Sequence, residues 1–371
     1  MSWSPQQEQA IAAVRAWLAD PHGAQVFRMF GYAGTGKTTL AKELAGEVKG
    51  VVLYATFTGK AALVLRKKGC DGASTIHSLI YRVEVDDRTG EANFILDRDC
   101  ALATAALLIV DEVSMVGDDL ARDLLSFGRR VLVLGDPAQL PPVKDEGFFI
   151  KAKPDVMLTE VHRQARDNPI IRMSMDIRAG KALAAGSYGD SLVIGQRQID
   201  RDELAQRVLG ADQLLCGLNR TRTNYNARIR QLKGLHGRNR PWHPATGDRL
   251  ICLRNNSDKH LFNGGLWDAE EVTDIGGKLS VIARSLDEDR DPVEVTVFEQ
   301  FFNGSEKDIP WQEKRGTHEF TFGWAITVHK SQGSQWSNVI VFDESGAFRE
   351  ARRNHLYTAV TRAAERVTVI V

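Results

Sequence analysis

What the chain lacks narrows it first. Its four cysteines, Cys70, Cys100, Cys216 and Cys252, lie far apart. Without a C-x-x-C pair, the usual zinc-ribbon, dithiol and iron–sulfur patterns are missing. Isolated cysteines suit core positions in a reducing cytosol, so the expected compartment is cytoplasmic. No apolar run reaches the ~20 residues needed to cross a bilayer, so no membrane partner is expected. The start, Met1 to Gln7, has neither the basic opening nor the apolar stretch of a secretory leader. Neither sign of charge is in excess: Lys+Arg and Asp+Glu both number 48. A polyanionic partner must therefore be argued from local charge. Repeats and low-complexity segments are also missing.

What is present is an ordinary folded chain of 371 residues, 43% hydrophobic and 26% charged. Its length allows about two to four compact units. The stretch Gly31-Tyr32-Ala33-Gly34-Thr35-Gly36-Lys37-Thr38-Thr39 fits G-x-x-x-x-G-K-[ST], the loop that cradles nucleotide phosphates. The apolar run Val26 to Phe30 predicts a strand before it, and Leu40 to Ala45 a helix after it. Glycines let backbone N–H groups converge on phosphate oxygens at a helix N-terminus. Lys37 is then placed for the β- and γ-phosphates and Thr38 for Mg²⁺. Asp111-Glu112 closes the apolar run Leu107 to Val110, the pattern of a metal-holding carboxylate followed by one that activates water. Gly135 to Pro142 is a strand-end loop. Its Gln139 is read either as a γ-phosphate sensor or as part of a plain proline-rich turn.

Strands predicted at 51–56, 107–112 and 131–136 alternate with helices up to about residue 160, which argues for a doubly wound α/β fold. Ser4-Pro5-Gln6-Gln7 predicts a capped helix start, with Gln7 as the reciprocal partner of Ser4. Two stretches break the alternation. Residues 71–100 hold a hairpin pattern with its tip at Asp86 to Gly90. Residues 241–319 alternate in the manner of strands, with turns at Asn263-Gly264-Gly265 and Gly276-Gly277. The α/β pattern returns at Phe320.

The order of these motifs resembles superfamily 1B DNA helicases, the RecD-like and Dda-like group. Gln7 resembles their Q motif, Gly31 to Thr39 motif I, Thr56 to Lys60 motif Ia, and Ser74 to Leu79 the T-I-H-S motif. Asp111 to Met115 resembles motif II, Gly135 to Pro141 motif III, and Thr159 to Gln164 motif IV. Thr327 to Gly333 resembles motif V, and Tyr357 to Ala363 motif VI. The resemblance implies two RecA-like doubly wound parallel-sheet motor domains with ATP and Mg²⁺ between them. Motor domain 1A would be 1–70 with 101–160, and 2A would be 161–240 with 320–371. The insertions would be a pin-bearing 1B at 71–100 and an SH3-like β-barrel, 2B, at 241–319. It implies catalytic roles for Lys37, Asp111, Glu112, Gln139, Arg163 and Arg362, the two arginines reaching the γ-phosphate. It implies nucleotide contacts at Gln7, Gly34, Thr35, Gly36, Lys37, Thr38, Thr39 and Gly333, and metal contacts at Thr38 and Asp111.

Local charge supplies a further sign. From Gln213 to Gly247 there is no acidic residue, while Arg220, Arg222, Arg228, Arg230, Lys233, Arg238 and Arg240 all fall there. Such a run is read either as a solvated helix face or as a nucleic-acid grip. The resemblance places strand contacts at Thr56, Lys60, Thr75, His77, Asn219, Arg220, Arg222, Asn226, Arg230, Thr327, His329 and Lys330. Phe94 and Trp242 are candidates for base stacking or for core. The implied activity is 5′-to-3′ translocation on single-stranded DNA and unwinding at single-strand/duplex junctions, by a protein active as a monomer. Two alternatives stand beside it: the motor subunit of a helicase–nuclease complex, and an ATP-gated strand clamp that does not unwind. Replication, recombination or nuclease proteins are the implied partners.

Overall fold

The computed structural model describes residues 3–85, 92–141, 147–160, 167–235, 240–256 and 258–371. Its first sheet is built from runs that are apolar on both faces. Leu107–Asp111 and Val131–Gly135 are buried at every position. Alternate residues feed separate cores: Leu108, Val110 and Val133 on one side, Leu107, Ile109 and Leu134 on the other. Two-sided burial is what parallel strands covered by helices require. In spatial order the strands are Ser74–Thr75, Val52–Thr56, Leu107–Asp111, Val131–Gly135, Val26–Gly31 and Val156–Leu158, all parallel. The helix Pro5–Ala19 covers one face and begins with the expected reciprocal cap between Ser4 and Gln7.

A second sheet repeats the plan. Its order is Ala325–Thr327, Gln213–Cys216, Trp336–Phe342, Ala363–Ile370 and Ser191–Ile194, parallel throughout, with Gly186–Tyr188 antiparallel at the edge. Leu215, Val339 and Val341 enter one core, and Leu214, Ile340 and Phe342 the opposite one. The two RecA-like sheets thus come from one pattern used twice.

The third sheet is antiparallel: Val293–Phe298, Lys278–Ser285, Leu266–Asp274, Arg249–Cys252 and Phe320–Phe322. A bulge between Ala269 and Glu271 bends it. An isolated bridge from Val297 to His318 brings one outer strand toward the segment entering the other, so the sheet curls toward a barrel. The pair Tyr81–Val85 and Ala92–Leu96 forms a separate hairpin. The tip expected at Asp86 to Gly90 lies outside the described residues.

Two limits expected from sequence move. Ser74–Thr75 is an edge strand of the first parallel sheet, not part of an insertion that begins at 71. Two polar residues carry no strand periodicity, so only the pairing partner reveals them. Phe320–Phe322 belongs to the antiparallel sheet, and the parallel sheet resumes at Ala325. Phe320 and Phe322 both enter the inserted core, which fixes them there. Among the described residues no helix is long and apolar enough to cross a membrane.

Candidate nucleotide cleft and nucleic-acid face

The glycine-rich loop joins the strand Val26–Gly31 to the helix Lys37–Ala45. Gly34 and Gly36 take left-handed φ of 77° and 81°, a region that side chains resist. Gln7 sits beneath the loop. Its Nε2 donates to the Thr35 carbonyl at 3.1 Å, and its Oε1 accepts from the Ser4 N–H at 3.0 Å. The amide of Gln7 therefore braces the loop and caps a helix.

Lys37 Nζ donates to the Gly31 and Tyr32 carbonyls at 2.6 and 3.1 Å, so the ammonium lies along the loop. Thr38 Oγ1 donates to Asp111 Oδ2 at 2.8 Å, and the Glu112 N–H donates to Asp111 Oδ1 at 2.8 Å. Burial, then the neighbouring Glu112 charge, pushes the Asp111 carboxyl up; Lys37 and the bond from Thr38 oppose that. A cation beside Thr38 and Asp111 would relieve the same burden, and hard oxygen donors suit Mg²⁺. Glu112 itself has φ of 55°, rare for a residue with a side chain.

These groups line a cleft of about 540 Å³ closed on its far side by the second sheet's loops. Gly34, Thr35, Gly36, Lys37, Thr38, Thr39, Asp111, Glu112, Gln139, Gly333 and Arg362 all share it. Thr56, expected at the strand, faces this cleft instead, and its hydroxyl donates to the Thr58 carbonyl at 2.8 Å. Arg362 is buried and donates to the Thr358 and Ser334 carbonyls at 3.1 and 3.2 Å. Gln139 Oε1 is buried without a hydrogen-bond partner, an acceptor turned to the cleft lining. Gly333 lies so near the first sheet's helix that a Cβ would fall 2.7 Å from Ala61 Cβ. Arg163 lies outside the described residues.

Sequence reasoning missed a polar chain between the two halves. The Ala33 N–H donates to the Tyr357 hydroxyl at 2.9 Å, which donates to Asp136 Oδ2 at 2.6 Å. The Leu140 N–H donates to Thr358 Oγ1 at 2.8 Å, and Asn354 Nδ2 to the Gln139 carbonyl at 3.0 Å. The helix Arg352–Val360, just before Arg362, is therefore tied to the loop carrying Gln139. The signals in the chain were Asp136 in a strand-end loop and Asn354, Tyr357 and Thr358 in a polar helix.

The expected strand contacts divide. Asn219 and Arg220 are exposed on the first turn of the helix Asn219–Leu232, and Arg222 is half-buried. Glu344 caps that turn, accepting from the Gly217 and Leu218 N–H groups at 2.8 and 2.9 Å. Arg222 and Lys330 line a second cavity of about 480 Å³ with the exposed Trp242 and with Phe301, Phe302 and Glu306. Burial and the nearby Arg222 lower the Lys330 ammonium. His77 lies against Phe57, Tyr81 and the exposed Phe94, and His329 against Phe348. Burial lowers the pKa of both imidazoles and so favours their neutral form.

Five expectations change. Arg230 is buried, pairs with Asp248 at 2.8 Å, and lies over the Phe322 ring at 4.0 Å. Asn226 bonds the Ala325 N–H and carbonyl, at 3.0 and 2.9 Å, as a substitute strand. Thr75 caps a helix by accepting from the Ser78 N–H at 3.0 Å. Thr327 is buried at its strand's end. Lys60 is buried against Asp287 at 3.2 Å, so it meets a strand only if that carboxylate moves away. Arg230, Asn226 and Lys60 each meet a partner from another segment, whereas Thr75 is engaged locally and Thr327 is simply buried. Replacing Arg230 with alanine is therefore expected to lower stability by about 3–5 kcal/mol, since Asp248 is left buried and unpaired. Chemical denaturation checks this; a variant of normal stability but weakened strand binding would restore the sequence-based role.

Known proteins match this arrangement. A model of the AAA domain matches residues 3–196, and one of the UvrD-like helicase C-terminal domain matches residues 322–370. The ATP-dependent RecD2 DNA helicase of Deinococcus radiodurans is 32% identical over 93% of this chain and 46% of its own. The conjugal transfer protein TraA of Agrobacterium fabrum is 25% identical over 96% of this chain and 32% of its own. The chain thus spans less than half the length of these relatives. A crystal structure of Pif1 helicase from Bacteroides with ADP-AlF3 and single-stranded DNA has a TM-score of 0.57 at 20% identity, covering 99% of this chain and 92% of that one. With the AAA-domain model matching more than half its residues, the chain belongs to that family, and its other end matches the UvrD-like helicase C-terminal domain.

Proposed function

We propose that this chain hydrolyses Mg-ATP between its two RecA-like units to move 5′ to 3′ along single-stranded DNA and open duplex. The observation that carries the reading is that Lys37 of one half and Arg362 of the other line a single cleft. A nucleotide in that cleft meets donors from both halves, so its hydrolysis changes how the halves attract each other. Lys37 and the loop N–H groups bind the phosphates, and Thr38 and Asp111 hold Mg²⁺, which supplies charge neutralisation at the phosphoryl oxygens. Glu112 takes the proton of the attacking water, and Gln139 orients that water with its free carbonyl oxygen. Arg362 stabilises charge on the transferred group.

The division proposed is 1–70 with 101–160 for the first unit and 161–240 with 320–371 for the second, with the two limits shifted as the strands require. DNA as the track draws on the likeness to a RecD2 DNA helicase and on Asn219, Arg220, Arg222 and Lys330. An aromatic patch at Phe57, His77 and Phe94 offers stacking worth ~1–3 kcal/mol per base.

Partial duplexes with a 5′ or a 3′ single-stranded tail test the reading. With Mg-ATP, the 5′-tailed duplex is expected to open and the 3′-tailed one to stay paired, and a Lys37→Ala variant to open neither. Opening from the 3′ tail alone would keep a motor and reverse its direction. ATP hydrolysis that single strands stimulate without any opening would make the protein a clamp or translocase.

A further inference from the structure

The turn between the strands Lys278–Ser285 and Val293–Phe298 reads Leu286-Asp287-Glu288-Asp289-Arg290-Asp291, with four carboxylates in six residues. Such a turn belongs in solvent, yet this one lies on the helix Gly59–Lys67 of the first unit. Asp287 Oδ1 stands 3.2 Å from Lys60 Nζ, and Lys67 Nζ donates to the Asp287 carbonyl at 2.6 Å. The Lys60 side chain is 7% exposed, with its ammonium 4.6 Å from the centre of the Trp336 ring. Gly59 leaves no room for a Cβ, which would fall 2.6 Å from Phe262 Cβ of the inserted sheet. Arg290 ties the turn to the insertion through the Lys259 and His260 carbonyls, so turn and sheet form one rigid piece.

The ion pair is close but poorly aimed. Lys60 Nζ has no hydrogen-bond partner of acceptable geometry although it is buried. An ammonium has three donors, and one carboxylate oxygen at the wrong angle does not satisfy them. A phosphate offers more acceptor oxygens and suits a lysine as a point-charge partner. The turn carries the right sign for this surface and the wrong sign for any polyanion that would occupy it. Asp289 and Asp291 are exposed beside the pair.

We propose that Lys60 marks a phosphate site for a nucleic-acid strand, closed in the free protein by the acidic turn 286–291, whose Asp287 stands in for the phosphate. The inference rests on the strand-motor reading above. An arriving strand takes Lys60 and Lys67, and like charge drives Asp287 and its neighbours away. The inserted sheet then loses its hold on the first unit, so strand binding and release of the insertion are one event. Apparent affinity is lowered by the fraction of molecules in the closed form.

The experiment is fluorescence anisotropy of a labelled short oligothymidylate without nucleotide, at fixed low salt. Asp287→Asn keeps an oxygen for the Leu266 N–H, which Asp287 Oδ2 accepts at 2.9 Å, while the charge and the oxygen facing Lys60 are both lost. It is expected to tighten binding by about tenfold. Lys60→Ala is expected to weaken binding, and Asp287→Asn added to it to change nothing further. Unchanged or weaker binding by Asp287→Asn, beside a wild type that binds, overturns the proposal and makes the turn a brace. Equal tightening in the Lys60→Ala background also overturns it, as a general charge effect. If neither wild type nor variant binds, the strand-motor reading fails and this one with it. Hydrogen exchange on the wild type is independent of any variant. Residues 286–291 are expected to exchange faster when the oligonucleotide is added, and unchanged exchange in a saturated complex overturns the proposal.

Discussion

Replacing Arg362 with alanine is expected to slow strand-stimulated ATP hydrolysis by about 10³–10⁵-fold, with nucleotide affinity changed only severalfold. Arg362 is 6% exposed and donates to the Thr358 and Ser334 carbonyls and to the Thr361 hydroxyl. Carbonyls and a hydroxyl hold a guanidinium in place without neutralising it. The positive charge therefore stays available to the cleft, where charge on a transferred phosphoryl group develops. Its helix is bonded to the loop of Gln139 and, through Tyr357, to the phosphate loop, so the arginine is carried by whatever moves those loops. Lysine at 362 is expected to recover little, because a point charge cannot reproduce the planar fork. Steady-state hydrolysis and fluorescent-nucleotide binding separate the two effects. If alanine lowered binding and turnover equally, with no separate loss of rate, Arg362 would be a structural residue.

The parts legible in the sequence were those where pattern and chemistry coincide. Leu107 to Asp111 is apolar on both faces and ends in carboxylates, which gives a central strand and a metal-side acid together. Residues 31 to 39 announce a turn, a helix start and a phosphate loop in one stretch. The charged residues of the strand face were harder to place. Arg230 and Lys60 look alike in sequence, a cation on a helix. Their fates depend on Asp248 and Asp287, which flank strands of the inserted sheet and are brought over by the tertiary fold. Asn226 reads as a polar strand contact until Ala325 is seen beside it, offering an N–H and a carbonyl at strand spacing. Gln7 combines two legible roles that are compatible, and the cap through Ser4 and the bond to the phosphate loop are both formed. A motif specifies which groups are present; only packing decides which of them are already engaged.

Glu112→Gln is expected to bind nucleotide and single strands like the wild type and to turn over about 10²–10⁴-fold more slowly. The two adjacent carboxylates are not equivalent. Asp111 is buried and receives bonds from Thr38 and from the Glu112 N–H, so both its oxygens are engaged. Glu112 is half-buried on the cleft wall, and its left-handed backbone turns the chain directly after the strand. Glutamine keeps the size of the side chain and the N–H bond to Asp111, and it cannot accept a proton at neutral pH. The Thr38–Asp111 pair survives, so Mg²⁺ and nucleotide still have their ligands. Asp111→Asn differs: it removes the charge that holds the metal, so its rate is expected to recover partly at high Mg²⁺, while that of Glu112→Gln does not. Hydrolysis measured across a Mg²⁺ titration for both variants distinguishes the roles. Near-normal turnover by Glu112→Gln would move the proton acceptor to another group, with buried Asp136 the lining carboxylate besides Asp111 among the described residues.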